Sequence, residues 1–253
     1  MEHILEHIPA EDRTTLIACA LVAAWWTGPS QRRLFSSVSI HDGNYERWVD
    51  SVVHSGVKTR LLGYVRSLQH RRHDPGVRGT YPMGRLTEDS GEYLSALRGV
   101  RSLELCHVGI DSISQDDFSN CFSAFRETLT DLTLRHFFAS FSTFVTLVGY
   151  FPNITTLKLG IFTTIPDEGP VPPLSRPLRG KICVGFTGTE CVEFFNRFAK
   201  LDLEYEELQV MSSRLCMEPL ESVLRLSAST VKYLRLKDEP REYPYDILSS
   251  LRI

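Results

Sequence analysis

The chain has 253 residues and a formal net charge of −3; 42% of its residues are hydrophobic and 23% are charged. This is the composition of an ordinary globular protein, with room for one large domain or two small ones. It argues against a nucleic-acid binder, because no excess of Lys and Arg runs through the chain.

The first 35 residues differ from the rest and are predicted to form a short helical head. A first helix ends at Pro9, since proline resists helix. Glu11 and Asp12 then place negative charge at the start of a second helix, where the helix dipole favours it. The apolar positions of the first helix are Ile4, Leu5 and Ile8.

Eleven apolar residues in a row run from Leu16 to Trp26. They are too few to span a bilayer, which takes about 20 residues. The acidic residues before them are unlike the basic flank of a secretory signal peptide. We therefore expect a buried helix in a small bundle, ended by Gly28–Ser30 and followed by one further turn over Gln31–Leu34.

From residue 36 onward a triplet recurs with the pattern apolar-x-x-apolar-x-apolar. Four consecutive steps between its central residues, from Leu132 to Leu234, are 25 or 26 residues long. Repeats of about 20–29 residues are typical of leucine-rich repeats. The central residues are Val38, Leu68, Leu103, Leu132, Leu157, Ile182, Leu208, Leu234 and Leu251.

Apolar residues at helical spacing lie between the triplets, so each unit is predicted to be one strand and one helix. Successive units of this kind give a parallel sheet and share one core. We therefore predict an α/β fold in which an all-α head (1–35) precedes a right-handed leucine-rich-repeat-like solenoid (36–253). The helical residues include Tyr45, Trp48, Phe118, Phe122, Phe144, Phe151, Phe194 and Phe198.

The repeats lack the Asn or Cys that leucine-rich repeats carry three positions after the last leucine. Val108, Phe137 and Phe162 stand there instead, so the bends must be closed in some other way. The last triplet, Leu248–Ile253, has no helix after it, whereas terminal repeats usually carry a polar cap. With Met1 already inside the first predicted helix, this favours a chain that is part of a longer product.

Two long connections interrupt the repeats, at about 70–91 and at 162–180. The first contains His70–His73 followed by Arg78 and Arg85. These basic residues could hold an acidic or phosphorylated segment of a partner. A solvated loop is the alternative that most charge clusters fit, and we favour it. In the second connection, a proline-rich stretch indicates disorder more than a recognition motif.

The sequence carries no catalytic motif, no metal-ligand spacing and no cofactor fingerprint. We therefore predict no catalytic residues, no metal site and no cofactor, and hence a protein that is not an enzyme. None of the six cysteines forms a C-x-x-C pair, and we expect them to be small core thiols in a reducing compartment. Cytoplasm or nucleus is the predicted location. The cysteines are Cys19, Cys106, Cys121, Cys183, Cys191 and Cys216.

The head resembles the F-box motif, in the form common in fungal F-box proteins that carry degenerate leucine-rich repeats. The residues that carry the resemblance are Ile4-Leu5, Ile8-Pro9, Asp12, Leu16, Ala18–Val22, Trp26 and Ser30–Phe35. The resemblance implies docking on a Skp-type adaptor of a cullin ubiquitin ligase (SCF), with the repeats presenting a protein substrate of unknown identity. The adaptor-facing residues that it implies are Ile4, Leu5, Ile8, Pro9, Leu21, Val22 and Trp26.

Two other functions remain open. In the first, the chain is a repeat scaffold outside any ligase, and its head only caps the solenoid. In the second, it is an enzyme whose site is assembled from scattered residues without a readable motif. A deep pocket with clustered, strongly shifted titratable groups would favour the enzyme. We expect neither nucleic acid nor a membrane as a partner.

Overall fold

The structure is a computed structural model. The residues that it describes are 7–9, 12–22, 24–41, 44–48, 50, 59–71, 84–85, 94–110, 115–160, 162–165, 173–174, 176–186, 196–198, 200–201, 203–212 and 231–238.

The described chain begins with two helices, α1 (Arg13–Val22) and α2 (Ala24–Leu34). Asp12 lies directly before α1, and its Oδ1 accepts a hydrogen bond of 3.1 Å from the backbone N–H of Thr15. The side-chain and backbone hydrogen bonds with Thr15 hold the pKa of the Asp12 carboxyl below its ordinary value. The prediction that negative charge marks the start of this helix is therefore confirmed at Asp12.

Helix α2 continues past the residues at which the sequence predicts that a helix ends. It continues through Pro29, so the prediction that Gly28–Ser30 end a helix is wrong. Proline withholds its own N–H and crowds the carbonyl of the residue four positions earlier, but the turn after Pro29 keeps its bonds. Within that turn, the backbone N–H of Phe35 donates to the carbonyl O of Gln31 over 3.0 Å. Ser30, directly after the proline, is fully buried.

Most of the remaining chain is built on two parallel sheets. In chain order the strands are β1 (Ser37–His41), β2 (Ser67–Arg71), β3 (Gly84–Arg85), β4 (Ser102–Cys106), β5 (Val108–Gly109), β6 (Asp131–Arg135), β7 (Phe137–Ser140), β8 (Thr156–Leu159), β9 (Phe162–Ile165), β10 (Leu178–Phe186), β11 (Leu203–Ser212) and β12 (Tyr233–Asp238). Among the described residues, the larger sheet has eight strands in the order β1-β2-β4-β6-β8-β10-β11-β12. All of its pairings are parallel. The chain therefore has a mixed α/β fold with a parallel sheet, as predicted.

At the start of several strands of the larger sheet, two successive backbone N–H groups donate to one backbone carbonyl of the preceding unit. The carbonyl O of Arg66 accepts the N–H groups of Arg101 and Ser102 at 2.8 and 3.0 Å. One unit later, the carbonyl O of Arg101 accepts those of Thr130 and Asp131 at 2.8 and 2.9 Å. The same pair of bonds recurs in the units before and after these. Equivalent positions of successive units are thereby kept in one register.

The triplet residues face the core, as their spacing predicts. Leu68, Leu103, Leu132, Leu157, Ile182 and Leu208 lie side by side across the larger sheet. The third position of one triplet holds His70, which is also buried. The last predicted triplet, Leu248–Ile253, lies outside the described residues. The other buried triplet residues are Val38, Ile40, Val65, Val100, Leu105, Leu129, Leu134, Ile154, Leu159, Val184 and Tyr205.

The unit around Ile182 seemed in the sequence to lack its first apolar residue. In the structure Leu178, at the start of β10, is buried in that role, four residues earlier instead of three. The pairing with β11 is irregular at this place, since Gly180 pairs with Tyr205 and the next residue with Glu207. The extra residue of this β-bulge is Glu206, which lies in β11.

The smaller sheet lies at the bends where leucine-rich repeats usually carry the Asn or Cys that this chain lacks. Its order is β3-β5-β7-β9. Val108 begins β5 and Phe137 begins β7; both side chains are fully buried. A single residue, His107 or His136, separates these strands from the larger sheet, and both have a positive φ, of 56° and 46°. The bends are thus closed by apolar packing and a second hydrogen-bonded ladder.

Helices connect strands of the larger sheet. They are α3 (Tyr45–Trp48), α4 (Thr59–Leu62), α5 (Gln115–Phe122), which a 3₁₀ turn (Ser123–Phe125) continues, and α6 (Phe141–Tyr150). The predicted helices around Phe118 and Phe144 are therefore confirmed. Most of the helix predicted around Phe194 lies outside the described residues.

Aromatic side chains pack against one another in the core. The Phe122 ring centroid lies 4.9 Å from that of Phe118, 5.8 Å from Phe125 and 5.7 Å from Phe151, in edge-to-face contacts. All four rings belong to the same buried cluster as the triplet residues. Helix and sheet thus share one core. Within the described ranges, every helix falls short of the length and apolarity that crossing a membrane requires.

Candidate protein-interaction surfaces

Helix α1 exposes large apolar side chains along one side. Ile17, Leu21 and Val22 are 50%, 81% and 76% exposed, and we call these three residues the head patch. With 3.6 residues per turn, they spread over about 140° of the helix surface. Ala18 lies between them and is also exposed, whereas Leu16, on the opposite side, is fully buried.

The prediction of a buried helix is therefore wrong for most of α1. Leu16 is its one fully buried residue, and Cys19 and Ala20 are half-buried. The residues from Leu16 onward are apolar on every side of the helix. Because neighbouring elements cover only one side, apolar side chains are exposed on the other. Burial of an exposed aliphatic side chain contributes roughly 1.5–3 kcal/mol. Exposed apolar surface of this kind makes the head patch a candidate interaction surface.

The seven predicted adaptor-facing residues are distributed unevenly. Leu21 and Val22 belong to the head patch, Pro9 is exposed, and Ile8 and Trp26 are half-buried. The other two, Ile4 and Leu5, lie outside the described residues. Ile17 was not among the predicted residues. Its position one turn before Leu21, in an uninterrupted apolar run, could have indicated it.

Side-chain hydrogen bonds connect the parts of the head that the structure describes. The Arg33 Nε at the end of α2 donates to the carbonyl O of Ile8 over 2.7 Å. The Thr27 Oγ1 donates to the carbonyl O of Ala20, at 3.1 Å, and so links α2 to α1. The segment around Ile8 and the head patch are therefore parts of one small helical unit.

A second surface is formed by the side chains that alternate with the buried triplet residues in the larger sheet. We call it the strand face. Register places its central row side by side from β1 to β12. That row is mostly polar or charged, so the face offers hydrogen-bond donors and acceptors. Its members are Ser39, Gln69, Glu104, Thr133, Lys158, Cys183, Gln209 and Arg235.

Ion pairs cross the strand face between neighbouring strands. At one end, the Glu207 Oε1 lies 3.0 Å from the Lys181 Nζ and 3.3 Å from the Arg235 Nε, so one carboxylate bridges β10 and β12. In the middle, the Arg135 Nε lies 3.3 Å from the Glu104 Oε1. Carboxylates and cations are thus paired in the middle of the face and at one end of it.

Two of the buried cysteines lie on the strand-face side of the larger sheet. Cys106 and Cys183 are buried, but by polar neighbours, and they do not belong to the apolar cluster. Burial raises the pKa of both thiols, although Arg71 and Arg135 oppose this at Cys106. Both sulfurs therefore stay protonated, unlike the thiolate of a reactive cysteine. The predicted burial is therefore confirmed for Cys106, Cys121 and Cys183, but only Cys121 belongs to the apolar cluster.

The basic segment predicted as a loop begins inside the sheet. His70 is buried in β2, in register with Ile40 and Leu105. Arg71 ends the strand and is exposed. The structure places Arg85 in β3, whereas Arg72, His73 and Arg78 lie outside the described residues. The triplet spacing explains the difference, since position 70 is the last apolar position of its triplet.

Two further observations bear on function. Among the described residues, no group of three or more His, Cys, Asp or Glu side chains is placed to hold a metal ion. Comparison with models of known protein families gave no match, and none of the curated proteins matched the chain.

Proposed function

We propose that this chain is a protein-interaction module, and specifically the substrate-recognition subunit of a Skp-cullin-F-box ubiquitin ligase. The head, residues 1–35, binds a Skp-type adaptor, and the repeat solenoid of residues 36–253 binds a protein substrate through its strand face. In this role the chain is not an enzyme, needs no cofactor and acts in the cytoplasm or nucleus. The observation that carries the proposal is the head patch.

The head patch favours adaptor docking over simple capping. An element that only caps a repeat array usually presents a polar outer face, because that face stays in water. In this head, Ile17, Leu21 and Val22 present apolar side chains instead. A partner that buries them gains roughly 1.5–3 kcal/mol for each fully covered side chain. The patch also includes two of the residues that the F-box resemblance assigns to the adaptor.

The scaffold without a ligase remains the second candidate, and one observation favours it. Helix α2 leads directly into β1, the edge strand of the larger sheet. The Ser36 Oγ donates to the carbonyl O of Arg33 over 2.7 Å at this junction. A head in this position is attached where a cap for the sheet edge would be.

A pull-down with a recombinant Skp-type adaptor tests the proposal. We expect the parent chain to bind and the Leu21→Asp/Val22→Asp variant to lose at least about tenfold in affinity, a loss of about 1.4 kcal/mol. Trp26→Ala should weaken the same complex. Tyr233→Asp is the matched control, since it adds a charge at an exposed large apolar residue outside the head. A folded parent that binds no adaptor would contradict the proposal and favour the scaffold.

A further inference from the structure

Among the described residues, β1 is an edge strand of the larger sheet. It stands at one end of the strand order and pairs with β2. The carbonyl O of Ser36, directly before β1, accepts the N–H of Ser67 over 2.9 Å, so this residue's backbone faces β2. Backbone groups of successive residues in a strand point to opposite sides. The N–H and C=O groups of Ser37, Ser39 and His41 therefore point away from the sheet.

The side chain of Asn44 occupies part of this outward edge. Its Nδ2 donates to the carbonyl O of Ser39 over 2.9 Å, and its Oδ1 accepts the N–H of His41 at 2.8 Å. The backbone N–H of Asn44 donates to the carbonyl O of His41, also over 2.9 Å. One side-chain amide thus lies where the N–H and C=O groups of a neighbouring strand would lie. Both outward groups of His41 and the carbonyl of Ser39 are thereby paired.

The start of helix α3 fixes Asn44 in this position. The carbonyl O of Asn44 accepts the N–H of Trp48 over 2.9 Å, so the residue lies directly before the helix and closes its first turn. An Asn side chain at a helix start usually accepts a hydrogen bond from the N–H groups of that helix. Here its oxygen accepts from His41 of the strand instead. The side chain therefore serves the edge of β1.

The rest of this edge carries no protecting side chain. Lys, Pro and other charged residues commonly keep an edge strand from pairing with another chain, and the strand Ser37–His41 contains no Lys, Pro or acidic residue. Within the described ranges, the outward groups of Ser37 and the N–H of Ser39 have no hydrogen-bond partner. Both serines are exposed. Asn44 is therefore the residue that obstructs strand pairing here.

We propose that the edge of β1 can pair with β1 of a second copy of the chain, and that Asn44 prevents this pairing. Each outward residue offers one donor and one acceptor, so the edge is complementary to itself in an antiparallel pair. Such a pair has two-fold symmetry and closes as a dimer. With Ser39 near its centre, it opposes no like charges. In the parent chain, a second strand must first displace the Asn44 amide. The inference concerns self-association and does not depend on adaptor binding.

Sedimentation velocity of the full chain at increasing concentration tests the inference. The variants are Asn44→Ala and Asn44→Ser; serine still begins a helix well but is too short to bridge Ser39 and His41. The matched control is Asn153→Ala, which removes an exposed side chain that also donates to a backbone carbonyl, that of Glu127, over 2.7 Å. A rescue variant combines Asn44→Ser with Ser39→Lys, because Lys opposes edge pairing. Thermal unfolding verifies that each variant is folded.

We expect both Asn44 variants to dimerise with an apparent dissociation constant at least about tenfold lower than that of the parent. The control and the rescue variant should remain as monomeric as the parent. Three results would overturn the inference: Asn44 variants that associate no more than the parent, equal association of Asn153→Ala, or open assemblies larger than a dimer.

Amide hydrogen exchange locates the interface. The N–H of Ser39 should exchange more slowly in the dimers of the Asn44 variants, since it then pairs with the second copy. Unchanged exchange at Ser39 places the interface elsewhere and contradicts the inference. In the parent, the N–H of His41, which Asn44 holds, should exchange more slowly than that of Ser39. The reverse order would contradict the role of Asn44 without any variant.

Discussion

The imidazole rings of His107 and His136 stack face to face, with ring centroids 4.3 Å apart and ring planes within 4° of each other. Each histidine follows a strand of the larger sheet and precedes a strand of the smaller one. Both adopt the left-handed backbone conformation, with φ of 56° and 46°, which is uncommon for residues other than glycine. The backbone N–H of His107 also donates to the carbonyl O of Arg135 over 3.1 Å. The two bends are therefore equivalent positions of successive units.

We expect His136 at this bend to make the stability of the fold depend on pH. Burial, and secondarily the positive charge of Arg135, hold the pKa of His136 below its ordinary value of 6.5. The unfolded chain then binds the proton more readily than the folded one, so this contribution is complete above about pH 6.5 and is lost as the pH falls below it. We predict that His136→Asn flattens the decline in the free energy of unfolding between about pH 7 and about pH 5, measured by urea denaturation.

The variant His107→Asn separates titration from stacking. Asparagine tolerates the left-handed conformation, and either substitution removes the stacked pair, worth about 0.5–1.5 kcal/mol. Both variants should therefore lose similar stability at neutral pH, but His107→Asn should keep the steep acid dependence because His136 is still present. If both variants flatten the pH profile equally, the acid sensitivity belongs to the stack and not to the burial of His136.

The sequence predicts the larger sheet well because its signal is local. Each triplet contains its own alternation, and Leu132, Leu157 and Ile182 are buried in neighbouring strands, as their equal spacing of 25 residues indicates. The head patch is predictable in part, since Leu21 and Val22 were assigned to the adaptor surface. That they are exposed could not be read from the sequence, because an apolar run without a polar side does not indicate which side a neighbour covers.

The smaller sheet could not be predicted from a sequence pattern. The strands that begin at Val108 and Phe137 are only two and four residues long, too short for a period to appear. They form because successive bends align them. The bulge near Gly180 likewise depends on the pairing of two strands.

The ion pair between Glu207 and Lys181 allows a test of how strongly charges interact on the strand face. Its Oε1 lies 3.0 Å from the half-buried Lys181 Nζ. We predict a coupling energy of about 0.5–1 kcal/mol between the two, measured with a double-mutant cycle of Lys181→Met and Glu207→Gln. The coupling should fall only modestly in about 1 M salt, because partly buried pairs are screened less than exposed ones.

The pair of Arg179 and Glu204 is the matched control. Its Nε–Oε2 distance is only 2.8 Å, but both side chains are largely exposed. We expect its coupling energy to be smaller than that of the Glu207 pair and to disappear in high salt. Equal couplings for the two pairs would show that distance, and not burial, sets the strength of ion pairs on this face.

Gly180 is required by the backbone of β10. Its φ is +87°, and a Cβ at this position would overlap the carbonyl O of Thr155. That oxygen must approach closely because it accepts the hydrogen bond of 2.8 Å from the Lys181 N–H that begins the pairing with β8. We predict that Gly180→Ala lowers the free energy of unfolding by about 1–3 kcal/mol from backbone strain alone, with a further loss from the displaced carbonyl.

Gly149→Ala should have the opposite effect. Gly149 lies inside α6, and its added Cβ would meet only the Leu174 Cδ2, at an ordinary contact distance of 3.5 Å. Alanine in a helix interior is favoured over glycine by about 0.5–1 kcal/mol. Gly149 is the last residue but one of α6, so this variant should gain at most that amount of stability in urea denaturation. If Gly180→Ala is as stable as Gly149→Ala, the left-handed conformation at the bulge is not needed. The strand pairing at Lys181 would then have to form without the close approach of Thr155.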